Sequence, residues 1–167
     1  GYLEPLVHKD VDEHEFNEIT EANYGIKPPF IMSSKQNSYF ERGNKAAASK
    51  HFERAIKFYD LGLKETDKNL VHFELDLYWV VRAGKDPLQL FKENSGRFTM
   101  WHVKDMDKEN KDWNTEIGNG SIDFKTIFAN AKLSGMKRFF VEQETNYVPN
   151  SLDSIATSYN YVNKNLF

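Results

Sequence analysis

With 167 residues, 40% of them hydrophobic, the chain is long enough for one domain with a substantial core. A net charge of −3 with no Lys/Arg stripe speaks against a nucleic-acid binder, and no stretch is long and apolar enough to span a membrane. The absence of cysteine removes disulfides and thiolate metal sites; it leaves the compartment open, with the cytoplasm as the working expectation. Residues 1–10, GYLEPLVHKD, lack the basic and apolar regions of a signal peptide, and the chain reads as beginning mid-fold.

In chain order, residues 12–24 carry Phe16, Ile19 and Ala22 at helical spacing, and Gly25 offers a stop. The segment KPPFIMSSKQNSYF that follows is expected to be an edge strand or a loop, because its two prolines argue against a central strand. Residues 45–64 predict a helix whose buried side is Phe52, Ala55, Ile56, Tyr59 and Leu63. Strict alternation then begins. Over 70–79, Val71, Phe73, Leu75 and Leu77 point one way and His72, Glu74, Asp76 and Tyr78 the other. Asp86-Pro87 opens a helix as N-cap and first helical residue, and Gly96 ends it. A strand over 98–104, a long polar loop, a helix from Ser121–Asp123 to Gly135, a strand over 137–143 and a last helix over 150–166 complete the reading. Strands alternating with helices predict an α/β fold with a parallel sheet, and no linker divides residues 1–167.

Three of these strands carry a polar residue where a buried strand should have Val or Leu: Asp76 in LVHFELDLYW, His102 in FTMWHVKD and Glu142 in RFFVEQE. Separations of 26 and 40 residues (102 − 76 and 142 − 102) each allow one strand–helix–loop unit, so the three belong to adjacent strands. Neighbouring strands lie about 4.8 Å apart, a gap that carboxylate and imidazole arms can close onto one cation. The parity agrees: Glu142 shares a face with Arg138 and Phe140, and His102 with Met100 and Lys104. Taken singly, Asp76 reads as a loop cap, His102 as a hydrogen-bonded core histidine and Glu142 as a partner of Lys104 or Arg138. Taken together they read as a metal site. One imidazole among oxygen ligands suits Mn²⁺ or Mg²⁺, with Co²⁺ or Zn²⁺ as alternatives.

Around this trio, Lys104 is a candidate for neutralising an enolate or holding a substrate oxygen, a salt bridge to Asp105 or Glu142 being the plainer role. Glu74, on the same strand face as Asp76, and Glu116, in EIGNG, are candidate substrate contacts. The Gly118-Asn-Gly120 stretch could offer N–H groups to a phosphate or hydroxyl, although a plain turn explains it as well. Trp79 and Trp101 read as packing residues, Trp101 lying under a helix because its parity opposes that of His102. His8, His14 and His51 receive no role.

The motifs FELDLYWVVRAGKDP, GRFTMWHVKDMD, EIGNGSIDFKTIF and FFVEQE, in this order, resemble the sugar phosphate isomerase/epimerase family with the xylose isomerase-like TIM-barrel fold. The resemblance covers residues 59–167, with 28–58 divergent, and implies a partial domain supplying strands five to eight of a (β/α)8 barrel. It implies a divalent metal held at the C-terminal face by four side chains, three of them at the positions of Asp76, His102 and Glu142. The fourth normally follows a Gly-Ile-Lys segment in a His-Asn-His motif. Here Gly25-Ile26-Lys27 is followed by PPFIMSSKQNSYF, which leaves Glu4, Gln36 or Glu41 as weak substitutes.

The implied activity is metal-dependent isomerisation or epimerisation of a sugar, sugar phosphate or polyol ketone. Glu142 and Lys104 are the catalytic candidates and an enediolate the intermediate. A full barrel takes about 250 residues, so the chain alone is expected to be a weak catalyst or none and to self-associate through exposed sheet edges. The rival is a non-catalytic half-barrel that binds metal or sugar or serves as an oligomerisation unit. DNA-repair nucleases of the same fold are disfavoured, because they need several metals and a cationic groove.

Overall fold

The computed structural model describes residues 3–5, 34–49 and 52–167, and the chain divides into two compact units. The smaller unit, residues 5–71, contains helices α1 (Ser34–Ala48) and α2 (Phe52–Glu65). Two expectations change here. Residues 34–40 are helical, where the sequence reading had an edge strand or loop, and the expected single helix over 45–64 is two. Pro28 and Pro29 precede the first turn of α1, so they constrain nothing inside it. The join between α1 and α2 contains neither Gly nor Pro, so periodicity could not mark it. The two helices meet at Gly43, where a Cβ would stand 2.5 Å from the Tyr59 ring, so only glycine admits the tyrosine. Tyr59 Oη then donates to Asn44 Oδ1 at 2.7 Å. The predicted helix at 12–24, His8, His14 and His51 lie outside the described residues.

The larger unit contains strands β1 (Leu3–Pro5, up to Glu4), β2 (Phe73–Asp76), β3 (Phe98–Val103) and β6 (Arg138–Val141), in the order β1-β2-β3-β6. β3 runs parallel to both β2 and β6. Helices α3 (Leu77–Arg82) and α4 (Pro87–Glu93) connect β2 to β3; α5 (Phe124–Ala129) and α6 (Ala131–Ser134) precede β6, and α7 (Ser151–Asn165) follows it. A two-stranded antiparallel hairpin, β4 (Asp105–Met106) with β5 (Asn114–Thr115), lies in what the sequence marks only as a polar loop. This mixed α/β unit, a parallel sheet alternating with helices, is the expected fold class.

Register decides which side chains share a face. Leu75, Trp101 and Phe139 form one row across β2, β3 and β6; Asp76, His102 and Phe140 form the next. The first row points to the helices. Trp101 is fully buried, stacked on Phe91 at 5.2 Å and edge-on to Phe128 at 5.3 Å, and its Nε1 donates to Ser134 Oγ at 2.9 Å. The expected packing role of Trp101 therefore holds, and an indole so placed contributes about 3–5 kcal/mol against truncation to alanine. Trp79, expected to be a packing residue, is instead exposed at 36%, its ring edge-on to Tyr78.

A register shift between Phe73 and Glu74 pairs Phe73 with Phe98 but Glu74 with Met100. Phe98 and Thr99 are consequently both buried, and Met100, His102 and Lys104 fall on the face opposite the helices. The strands are shorter than the sequence reading drew them. β2 stops at Asp76, because α3 begins at the next residue, and β6 stops at Val141, so Glu142 stands just past its C-terminal end.

Candidate metal centre

Each residue of the trio is placed by local backbone chemistry. Asp76 is the N-cap of α3: its Oδ1 accepts from Trp79 N at 3.1 Å, satisfying one of the helix's free donors. That bond fixes the carboxylate plane and turns Oδ2 towards β3. His102 is next to the last residue of β3, directly opposite Asp76 in the register. Glu142 is held by its own N–H, which donates to Val103 O at 3.0 Å and extends the ladder one step beyond β6. The cap reading of Asp76 and the metal reading are therefore compatible, one oxygen serving each.

The ligand atoms of Asp76, His102 and Glu142 lie within 4.8 Å of one another. His102 Nδ1 is 3.1 Å from Glu142 Oε2 and 3.8 Å from Asp76 Oδ2, and its Nε2 is 3.0 Å from Glu74 Oε1. Lys104 Nζ reaches the same two oxygens, Asp76 Oδ2 at 3.3 Å and Glu142 Oε2 at 3.0 Å, and also Glu144 Oε1 at 2.9 Å. Four carboxylates thus face one ammonium and one imidazole, leaving the cluster negative even with both cations charged. Asp76 and Lys104 are buried, while Glu142 and His102 keep side-chain exposures of 36% and 29%, so the cluster opens to solvent on one side.

The electrostatics follow from this crowding. The imidazole pKa is raised, chiefly by its interaction with Asp76, against the opposing effect of burial and with the fields of Glu142 and Glu74 adding to it. Burial works against the charge on Lys104, but the hydrogen bond to Glu144 and the fields of Asp76 and Glu142 outweigh it and raise its pKa. The donor set, two carboxylate oxygens and one imidazole nitrogen, suits a divalent cation of hard to intermediate character. The ammonium of Lys104 already marks where positive charge settles. The residues present fit a metal.

Other candidates fall elsewhere. Glu74 joins the cluster through His102. Glu116 does not: it is 4% exposed, Oε1 accepting from Ser154 Oγ at 2.6 Å and Oε2 from Thr115 Oγ1 and Asn119 Nδ2. Gly118 and Gly120 form a plain turn, their N–H groups donating to Asp105 Oδ2 at 2.8 and 3.0 Å, so neither is offered to a phosphate. Of the substitutes for a fourth ligand, Glu41 is exposed on α1 in the smaller unit, and the side chains of Glu4 and Gln36 lie outside the description. Sequence reasoning missed Glu144, although it continues the parity of Glu142. Asp105, named from sequence as a salt-bridge partner of Lys104, instead accepts backbone N–H groups of the following loop, while Lys104 pairs with Asp76, Glu142 and Glu144.

No protein-family model and no curated protein matches the chain. Among solved structures, two crystal structures of a sugar phosphate isomerase/epimerase from Parabacteroides distasonis are similar to it at 30% identity and a TM-score of 0.54. The similarity covers 64% of this chain but only 36% and 35% of theirs, so the chain spans about a third of those structures. Over that stretch the chain is similar to the sugar phosphate isomerase/epimerases, as its motifs imply, and carries part of a TIM-barrel-like fold.

Proposed function

We propose that the cluster holds a divalent cation between Asp76, His102 and Glu142 and belongs to a sugar isomerase or epimerase that moves a proton through an enediolate. The observation that carries this reading is the convergence of three ligand atoms within 4.8 Å at the C-terminal ends of adjacent parallel strands. In barrels of this kind that end of the sheet is where catalytic residues gather. A cation bound there would polarise a carbonyl oxygen and acidify the neighbouring C–H.

The chain's own residues supply the rest. Glu142, the more exposed acid of the trio, is placed to accept a proton from a substrate entering on the open side. Lys104 stabilises negative charge developing on a substrate oxygen without giving up its proton. Asp76, turned inward by its capping bond, serves as a fixed ligand. Mn²⁺ and Mg²⁺ are the favoured ions and a small sugar or sugar-like ketone the substrate.

The test is proton exchange from deuterated water into a panel of ketoses, with Mn²⁺ present, alongside calorimetric Mn²⁺ titration. Exchange and one binding site, both lost in Asp76→Asn and His102→Ala, are the expected results. Equal binding by both variants and the parent would show the site to be misassigned.

A second reading, a partial barrel that binds metal or sugar without turnover, draws support from the chain's spanning only about a third of the similar structures. Metal binding without exchange into any ketose would select it. Self-association is supported by β6 being the outermost strand of the described sheet and by exposed Leu152, Ile155 and Tyr159 on α7. Analytical ultracentrifugation reads it directly.

A further inference from the structure

We propose that Glu74 is the positioning residue for His102: it holds the proton of Nε2 and so presents the Nδ1 lone pair to the space between Asp76 and Glu142. The consequence for metal affinity rests on the proposed function above; the geometry does not. His102 has a carboxylate at each ring nitrogen, Glu74 Oε1 at 3.0 Å from Nε2 and Glu142 Oε2 at 3.1 Å from Nδ1. The two nitrogens point apart. A cation on Nδ1 therefore cannot also be reached by Glu74 across the ring, and Glu74 is excluded as the missing fourth ligand of that cation.

A neutral imidazole carries one N–H, and the nitrogen that bears it cannot ligate. A carboxylate only accepts, so Glu74 beside Nε2 selects the tautomer with the proton there. Left alone, the ring would have no reason to keep Nδ1 free, because Glu142 competes for the same proton from the other side at nearly the same distance. With side-chain exposures of 16% for Glu74 and 29% for His102, the contact is partly shielded from bulk water, which strengthens a charge-assisted hydrogen bond. Phe140 lies edge-on to the ring at 6.2 Å.

The sequence feature behind this is Glu-x-Asp on one strand. Glu74 and Asp76 share a face, and the register shift at Phe73/Glu74 sets Glu74 opposite Met100, two residues before His102. Without that shift Glu74 would pair with Thr99, whose side chain is buried towards the core. Glu74, read from sequence as a substrate contact, becomes a residue that acts through the imidazole.

The test uses ¹⁵N NMR of the histidine rings at alkaline pH in the metal-free chain, with His102 assigned by comparison with His102→Asn, and Co²⁺ titration of the same samples. The parent should show His102 as the Nε2–H tautomer with a slowly exchanging proton. Glu74→Leu should give mixed tautomers, fast exchange and Co²⁺ binding about 10–100-fold weaker, the usual cost of losing such a partner. Glu74→Gln keeps an acceptor oxygen and should stay near the parent in both readouts; Glu74→Ala replaces Glu74→Leu if the leucine variant does not fold. Parent-like tautomer and affinity in the leucine or alanine variant would overturn the inference. A parent that shows the tautomer, lost on removing Glu74, yet binds no Co²⁺ would sink the metal reading and leave the orienting role standing.

Discussion

Asp105 and Glu116 are as thoroughly buried as Asp76, at 0%, 4% and 5% exposure, yet the three carboxylates are satisfied by different kinds of group. Asp105 accepts four backbone N–H groups, from Met106 and Ile122 on Oδ1 and from Gly118 and Gly120 on Oδ2. A Cβ on Gly120 would lie 2.2 Å from Oδ1, so the loop closes on the carboxylate only with glycine there. Glu116 is held by Ser154, Thr115 and Asn119 and ties the same loop to α7. Both acids are consumed by the fold. Asp76 gives one oxygen to a helix cap and turns the other to a lysine and a histidine. A buried acid whose partners are all neutral donors of its own fold is a fastener. One that shares cationic side chains with other acids is available for chemistry.

The largest effect expected from breaking this contrast is at Asp105. Asp105→Ala would strand four buried donors and should cost roughly 3–5 kcal/mol of stability in urea denaturation. A loss below ~1 kcal/mol would mean that the loop satisfies itself without the carboxylate.

Glu116 sharpens the contrast through pH. Burial pushes its pKa up, but the hydrogen bonds from Ser154, Thr115 and Asn119 dominate and bring it down to about 2. A carboxyl depressed in the folded state stabilises above its unfolded pKa. That contribution, on the order of 3 kcal/mol, should be lost as pH falls from about 4.5 to about 2. Asp105 is shifted the other way, because desolvation outweighs its four backbone bonds, so protonating it does not add to the acid loss. Denaturation midpoints of the parent and Glu116→Gln across this window should converge at the acid end. Parallel curves would show that Glu116 is not the group responsible.

Asp76→Asn should reverse the pattern. Asparagine keeps an oxygen for the Trp79 N–H, so stability should change by less than about 1 kcal/mol, while Mn²⁺ affinity falls at least about tenfold. Calorimetry and denaturation on one preparation measure both. A large loss of stability with metal affinity retained would place Asp76 among the fasteners.

The smallest effect is at Glu144, whose side chain is 62% exposed and whose bond gives Lys104 an anchor away from the trio. Glu144→Gln should leave stability within about 0.5 kcal/mol. It frees the ammonium to compete for Asp76 and Glu142, and Mn²⁺ binding should weaken by a few-fold. Tighter binding would mean that Glu144 presses Lys104 into the site.

The strand-by-strand alternation around Phe73–Asp76, Phe98–Val103 and Arg138–Val141 was legible in the sequence, because side chains on a strand have a period of two and one face must meet helices. So was the cap at Asp86, whose side chain accepts from the Leu88 N–H two residues on. That parity is why Asp76, His102 and Glu142 could be grouped from sequence and why Trp101 could be assigned to the helix side. Tertiary structure alone decided the rest. Which nitrogen of His102 faces which acid depends on register across three strands and on a shift at Phe73/Glu74 that no local pattern announces. Whether Glu116 lines a site or fastens a loop depends on Ser154, 38 residues away, and Lys104 is clamped by Glu144, 40 residues away, together with Asp76 and Glu142. Periodicity and capping are encoded within a few residues, whereas the partner that satisfies a buried charge is chosen only when distant segments close around it.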